Sequence, residues 1–420
     1  MIRDFEYKGR WWLLEKTDKK IEGTLSFVHG EDITLELSGV FEQDDPEIIM
    51  GISDDNKITL YKNLLIKRQD GIHSVFIVEY VFLGKHFNQP QDIGFSSVSI
   101  NYTYLEEWLS GLPFKYGLQK IKLDCLNSTL SINHSSPAFI VITPEQHKHF
   151  RWYEETWKDL ENFLTLVIGY PVYPKILKGY GDDIQIADGG TIKEEIEIFY
   201  SLTQPNIKKY LYRSDMIIPF PSMKDKFEEY INNWFAKSEK LRPIYDLFFG
   251  TIYDPSMYRE FHFLALSQAI ESFHRCVYGG QYVTDKEYEL IKDVLIKAIP
   301  DDLDEDFKKS LKKGLEHGNE FSLMKRLKEL VNQFWKNCLE NFVRKKSTFI
   351  DDIYNTRNYL THYDERLKNK AVLGEDLFHL NERLKLFLTV LLLDQLGITR
   401  NDICEIINNR ERYNSILLLL

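Results

Sequence analysis

The feature that most constrains this fold is a change of hydrophobic period along the chain. Up to about residue 145, apolar and polar residues alternate with a period of two and are interrupted by Gly, Asn and Asp, which is typical of strands joined by turns. Beyond Pro221 the period is helical almost to the end. The alternating segments are 23–40, 57–66, 74–83, 97–104 and 139–142. The sequence therefore predicts an α+β protein, with an N-terminal antiparallel β-rich domain, sandwich-like or a curved sheet, followed by an all-α helical bundle.

The residues between these regions predict a connecting segment. Residues 145–169 have a helical apolar face, 169–190 are rich in Gly, Pro and Tyr as in a loop or short hairpin, and 192–200 resemble a strand. We therefore divide the chain into a β-rich domain at 1–145, a connecting helix and loop at 146–215, and a helical domain at 216–420. In the helical domain, helices are predicted at 222–249, 255–278, 284–298, 303–316, 320–333, 335–343, 346–366, 374–397 and 399–408.

The composition is that of a globular protein without a generally basic surface. The 420 residues carry a formal charge of -11 and are 43% hydrophobic and 14% aromatic. Because nucleic acid is bound through cationic surface, any RNA site must be a local patch. The four cysteines, Cys125, Cys276, Cys338 and Cys404, have neither paired nor zinc-ligand spacing. The sequence predicts no metal and no cofactor.

No stretch of the sequence predicts export or membrane insertion. The N-terminus reaches Lys16 without the apolar core of a signal peptide. The longest apolar run, at 387–398, contains Asp394 and is well short of the ~20 residues that span a bilayer. We therefore expect a cytoplasmic protein with no membrane partner.

One short string in the predicted helix 346–366 has the side chains of a catalytic site. Arg357, Asn358 and His362 form the pattern Arg-Asn-x-x-x-His. On a helix, Asn358 and His362 are surface neighbours, and Arg357 converges on them through its long side chain. An imidazole that moves protons and a guanidinium that holds a phosphate suffice for RNA cleavage without a metal. A string this tight occurs by chance in only about one such chain in fifty.

Basic residues flank this string on both sides. Arg344, Lys345 and Lys346 precede it and Arg366 follows it. They predict a local RNA-binding patch. The alternative is a solvated charged helix surface, which is the commoner meaning of such a run.

The string and its late position in a helical region resemble the signature of the HEPN ribonuclease superfamily. Within that superfamily, the C-terminal half looks like the ApeA-like HEPN domain. Residues 266–275 resemble the first long helix of that domain. Residues 9–13, 23–27, 37–39 and 49–51 resemble the β-rich domain that precedes HEPN in ApeA proteins. The resemblance covers most of the chain and agrees with the fold class predicted from the hydrophobic periods.

The resemblance implies that two HEPN domains pair so that both motif helices line one RNA-cleaving groove. It makes Arg357 and His362 the catalytic pair, with Asn358 orienting them. Glu271, on the earlier helix, and Tyr359, within the motif, are secondary candidates. The resemblance also implies a role in bacterial defence against phage by abortive infection.

The function predicted from the sequence is that of a homodimeric, metal-independent endoribonuclease acting through the ribose 2′-OH, with tRNA anticodon loops as one candidate substrate. The β domain is expected to sense a phage-derived trigger. The alternative is a non-catalytic HEPN dimer whose β domain binds a carbohydrate or protein ligand. In that case Arg357 and His362 would form a structural contact across the dimer interface.

Overall fold

The predicted change of hydrophobic period separates two units with different secondary structure. A computed structural model describes residues 4–28, 30–69, 71–112, 119–185, 191–201, 210–336 and 338–408, except for the side chains of 182–185. The chain divides into Met1–Ala236 and Lys237–Leu420. This division lies downstream of the boundary predicted at 215.

Each alternating segment of the sequence overlaps at least one strand of the first unit, and further strands lie outside those segments. The strands are β1 (Phe5–Trp12), β2 (Ile21–Phe27), β3 (Ile33–Leu37), β4 (Ile48–Ser53), β5 (Asn56–Gln69), β6 (His73–Leu83), β7 (Gly94–Phe95), β8 (Ser97–Tyr102), β9 (Gln119–Leu123), β10 (Ser128–Asn133), β11 (Phe139–Pro144), β12 (Lys148–His149), β13 (Pro174–Gln185) and β14 (Thr191–Tyr200). The helices that begin and end in this unit are α1 (Leu105–Leu109), α2 (Phe150–Ile168) and α3 (Phe220–Met223).

Twelve of these strands form one antiparallel sheet in the order β3-β2-β1-β4-β5-β6-β14-β13-β8-β11-β10-β9. Strand β3 pairs with β2 on one side and with β6 on the other, so Leu35 lies opposite both Leu25 and Phe76. This double pairing closes the first six strands of that order into a barrel. The α+β fold class is confirmed, and its β-rich part is a barrel with additional strands.

The barrel interior is filled by side chains that alternate along each strand. Trp11 is fully buried there and its indole Nε1–H donates to the Gly23 carbonyl at 3.1 Å. A Cβ atom on Gly51 would lie 2.2 Å from the Trp11 ring, so only glycine leaves room for this tryptophan. The predicted connecting segment contributes β13 and β14 to the same sheet, and α2 covers nearly the predicted 145–169.

The helices after α3 are α4 (Phe227–Tyr253), α5 (Arg259–Tyr278), α6 (Asp285–Lys297), α7 (Glu305–Glu316), α8 (Leu323–Phe334), α9 (Lys346–His362), α10 (Glu375–Gln395) and α11 (Arg400–Asn408). Contacts of α5 with α10, and of α8 and α9 with α5, make the core of the second unit. The helix predicted at 335–343 is wrong. Among its described residues there is only a 3₁₀ turn at Leu339–Asn341, because Cys338 has a non-helical backbone (φ -125°, ψ -82°).

Candidate active site

The predicted catalytic string occupies the C-terminal end of α9. Apolar side chains on one side of this helix, Phe349 and Ile353 among them, are buried in the helical unit. The helix was predicted to continue to residue 366, and that end is wrong. It ends at His362, because Tyr363 adopts a left-handed backbone (φ 50°) and Asp364 starts a separate 3₁₀ turn. His362 is therefore the last helical residue, where no further helical turn covers it.

By helical spacing Asn358 and His362 lie on the side of α9 away from that core, and Arg357 lies at its edge. Arg357 and Asn358 are partly exposed and His362 is exposed. The Arg357 guanidinium donates to Asn358 Oδ1 at 3.3 Å. This is its one hydrogen bond to the described residues, so most of its five donors are available to a ligand.

The His362 imidazole has no hydrogen-bond partner among the described residues. The pKa of Asp364 is lowered chiefly by its hydrogen bonds with Arg366 and to a small extent by His362. Both ring nitrogens of His362 are therefore accessible for proton transfer to or from a ligand.

Two threonines support the string from within the helical unit. Thr356 is fully buried, and its hydroxyl accepts a hydrogen bond from the Val372 backbone N–H at 2.9 Å. This bond ties the segment after α9 to the helix one residue before Arg357. The Thr361 hydroxyl donates to the Arg357 carbonyl at 2.7 Å. The sequence analysis did not identify either threonine, because a local pattern contains no signal for the partner of Thr356.

The side chains of the two secondary candidates, Glu271 and Tyr359, contact residues outside the motif. Glu271 is largely buried on α5, and its carboxylate accepts from Arg275 Nη2 at 3.0 Å and Nε at 3.3 Å. Tyr359 is 8% exposed, and its ring lies 5.7 Å from the ring of Tyr363. Neither side chain is brought into hydrogen-bond contact with Arg357, Asn358 or His362.

The four predicted RNA-binding residues separate into two kinds. Lys346 donates to Asn332 Oδ1 at 2.9 Å and lies 5.0 Å from the Trp335 ring, so it is directed towards α8. Arg366 is exposed and donates both Nε and Nη2 to the Asp364 carboxylate. Arg344 and Lys345, in contrast, are exposed and line one cavity.

That cavity, of about 340 Å³, lies beside the N-terminal end of α9. Besides Arg344 and Lys345 its polar lining is Thr348, Asp352 and, from α10, Arg383. Burial raises the pKa of Asp352, and Arg383 partly opposes this shift. Burial also lowers the pKa of Arg383, whose guanidinium nevertheless remains a cation. The sequence analysis missed Arg383, which lies 37 residues after the end of the basic run at Lys346.

No three His, Cys, Asp or Glu side chains are placed to hold a metal ion in the part of the chain that is described. Among the same residues, no helix combines the length and the hydropathy that a bilayer span requires.

Two family models match the chain. ApeA N-terminal domain 1 matches residues 6–234, which is more than half of the chain, and Apea-like HEPN matches residues 264–402. The protein belongs to the ApeA family of HEPN-domain proteins. The ApeA assignment confirms the resemblance read from the sequence, and the HEPN match includes the whole Arg357–His362 string. No curated protein and no solved structure gives a significant match.

HEPN domains belong to a ribonuclease superfamily, and they generally act as dimers and bind RNA. The ApeA N-terminal domain combined with an HEPN domain is consistent with a family of defence-associated HEPN nucleases. The cleaved RNA, the role of each side chain and the trigger are matters for proposal.

Proposed function

We propose that this ApeA-family protein is a metal-independent endoribonuclease of an anti-phage abortive-infection system. The observation that carries the proposal is the state of the Arg-Asn-x-x-x-His string. His362 is exposed without a hydrogen-bond partner among the described residues, and Arg357, five residues earlier on α9, keeps most of its donors free. A histidine that only stabilised the fold would have its ring nitrogens satisfied.

In the proposed reaction His362 removes the proton of a ribose 2′-OH, and the 2′-oxygen attacks the neighbouring phosphorus. The bond from phosphorus to the 5′-oxygen breaks, leaving a 2′,3′-cyclic phosphate and a 5′-hydroxyl. Arg357 stabilises the negative charge that grows on the phosphoryl oxygens, as charge-assisted hydrogen bonds do most effectively. Asn358 holds the Arg357 guanidinium and orients it towards the phosphate.

The 5′-oxygen must receive a proton as it leaves, and the string supplies one imidazole per chain. We assign the acid role to the partner's His362 in a homodimer formed by the HEPN domains, which makes the site composite. Exposed aromatic side chains support such an interface. Tyr363, next to the motif, is 69% exposed, and Tyr258, Phe261 and Phe378 form a second exposed group. Large exposed aromatics of this kind are enriched in protein interfaces.

The substrate is RNA, because the nucleophile is the 2′-OH, and DNA should remain intact. In-line attack requires a flexible, unstacked nucleotide, and tRNA anticodon loops provide one. The N-terminal unit is the proposed sensor of a phage-derived trigger. It contains a cavity of about 440 Å³ with a polar lining that includes Ser97, Ser99, Tyr180 and Lys193. A recognition site of this kind would keep the nuclease inactive until infection.

The test compares purified wild-type protein with His362→Ala and with His317→Ala, an exposed histidine of the same unit. Each is incubated in EDTA with total bacterial RNA and with a DNA oligonucleotide, and the new ends are mapped. We expect wild type and His317→Ala to cleave RNA, leaving 2′,3′-cyclic phosphates, and His362→Ala to be inactive.

Cleavage of the DNA, or equal cleavage by all three proteins, would contradict the proposed mechanism. If none of them cleaves, the assay is repeated with lysate of phage-infected cells to supply the trigger. Continued inactivity there, with a dimer weakened by His362→Ala, would favour the non-catalytic dimer whose β domain binds a carbohydrate or protein.

A further inference from the structure

The cavity beside the start of α9 gathers cationic groups from two helices. Arg344 and Lys345 reach it from the residues before α9, and Arg383 reaches it from α10. Three cations and one carboxyl, Asp352, therefore line a space of about 340 Å³. Like charges placed together around a cavity repel one another, so an anion that enters would relieve that repulsion.

Arg383 has a buried hydrogen-bond donor that lacks an acceptor among the described residues. Its Nε is shielded from solvent and has no hydrogen-bond partner among the described residues. Asp352 acts on it through the electrostatic field, but no ion pair joins the two side chains. A buried donor without an acceptor is costly, and the cost is greater when the donor is charged. The oxygens of a phosphate would supply the missing acceptor.

The backbone adds donors at the same place. α9 begins at Lys346 with no side-chain cap and no acidic residue in its first turn. Its first N–H groups therefore have no intrahelical acceptor, and the helix dipole favours negative charge there. Thr348, in that turn, contributes a hydroxyl to the cavity wall.

Thr348, from the cavity wall, and His362, from the motif, lie on one side of the same helix. Thr348, Asn355 and His362 are spaced by seven residues, so each is turned by only about 20° from the one before it. Thr348 and His362 are about 21 Å apart along the helix axis. A single strand of RNA running along this side of α9 could reach both places at once.

We propose that this cavity is a phosphate-binding subsite, formed by Arg344, Lys345 and Arg383, which holds the RNA backbone a few nucleotides from the cleaved bond. The inference rests on the proposed ribonuclease function and extends it to a second contact with the same RNA. Asp352 acts against the bound phosphate, so the subsite holds RNA more weakly than its cations alone would allow. The carboxyl thereby keeps the free cavity from being purely cationic.

The test measures binding apart from cleavage, using full-length protein that carries His362→Ala. The probe is a fluorescent single-stranded RNA, titrated at several salt concentrations, and inorganic pyrophosphate is titrated separately. We expect Arg383→Gln to weaken RNA binding about tenfold. Lys345→Gln should reduce the slope of log affinity against log salt by about 0.7, the contribution of one phosphate contact. Asp352→Asn should tighten binding severalfold, and Lys312→Gln, an exposed lysine on α7, should change nothing.

Circular dichroism and thermal unfolding show whether each variant is folded. If Arg383→Gln fails to fold, the test rests on the salt slope of Lys345→Gln, at an exposed position, and on the RNA affinity of Asp352→Asn. Unchanged affinity and salt slope in Lys345→Gln and Asp352→Asn would overturn the subsite, even if the wild-type protein cleaves RNA. Pyrophosphate binding that depends on Lys345 but is not displaced by RNA would also overturn it, by assigning the cavity to a free nucleotide or phosphate. RNA binding that follows the expected pattern in a protein that never cleaves would support the subsite and reject the nuclease.

Discussion

The helical unit contains two clusters built from the same kinds of side chain but in opposite states. The motif cluster, Arg357, Asn358 and His362, is open to solvent and contains one hydrogen bond between side chains. The buried cluster is Arg326 and His274, with the Glu329 carboxylate that contacts His274. Arg326 is 2% exposed and His274 is 1% exposed.

Every strong donor of the buried cluster has an acceptor. Arg326 Nε donates to the Phe321 carbonyl at 3.0 Å, and its Nη1 donates to His274 Nδ1 at 2.9 Å. Because arginine can only donate, His274 Nδ1 must accept, and its Nε2–H therefore donates to Glu329 at 2.9 Å. Burial and the Arg326 charge lower the pKa of His274, so its ring is held neutral.

This difference separates a structural histidine from one that is available for chemistry. His274 cannot gain a proton without opposing Arg326, whereas His362 has no hydrogen-bond partner to lose among the residues that the structure describes. Both residues are histidines, and they differ in whether their ring nitrogens have hydrogen-bond partners among the described residues.

His362→Ala should reduce RNA cleavage by about 10²–10⁴-fold, the usual contribution of general acid–base catalysis. The unfolding midpoint should stay close to that of wild type, because the ring is exposed and makes no hydrogen bond within the described part of the chain. Initial cleavage rates and thermal unfolding on the same preparation measure both. A midpoint that falls strongly while the folded fraction keeps its activity would make His362 structural.

Arg326→Ala should lower the free energy of unfolding by about 3 kcal/mol, because it leaves buried carbonyls and His274 without their donor. Urea unfolding measures the loss, and Lys328→Ala, exposed on the same helix, is the control. The folded fraction should keep its catalytic rate. A loss no larger than that of the control would mean that the buried cluster contributes little to stability.

Arg357→Lys should reduce cleavage about tenfold while the protein stays folded. Lysine keeps the positive charge but loses the planar fork that contacts two phosphoryl oxygens. The reduction should be in kcat more than in KM if Arg357 acts mainly on the transition state. A change confined to KM would place Arg357 in substrate binding alone.

The smallest expected effect is the pH dependence set by His274. Its pKa is lowered in the folded protein from an ordinary value of 6.5, so the unfolded chain binds more protons just below that pH. Stability should therefore be full above about pH 6.5 and should fall as the pH decreases towards the folded pKa. In His274→Gln the unfolding midpoint should depend less on pH between pH 7 and pH 5 than it does in wild type. The same slope in wild type and variant would assign that dependence to other groups.

Much of the architecture follows from local sequence. The change of period from two to helical is a property of neighbouring residues, and it predicted the β-rich and helical regions and most helix positions. The spacing within Arg-Asn-x-x-x-His likewise predicted that Asn358 and His362 are neighbours on the surface of α9. The family signature is present in the same residues.

Contacts between distant residues were decided by the tertiary structure. The pairing of β3 with β6 closes the barrel. The left-handed backbone at Tyr363 ends α9 at His362. Lys346 turns to Trp335, whereas Arg383 joins Arg344 and Lys345 from another helix.

The physical reason for this division is the range of the interactions. Periodicity reports which face of a helix or strand is apolar, and that depends on nearby residues alone. The partner of a hydrogen bond, and the groups that meet around a cavity, depend on how whole elements pack. The sequence by itself therefore determined which side chains this protein offers for chemistry, and only the fold decided which of them were left without a partner.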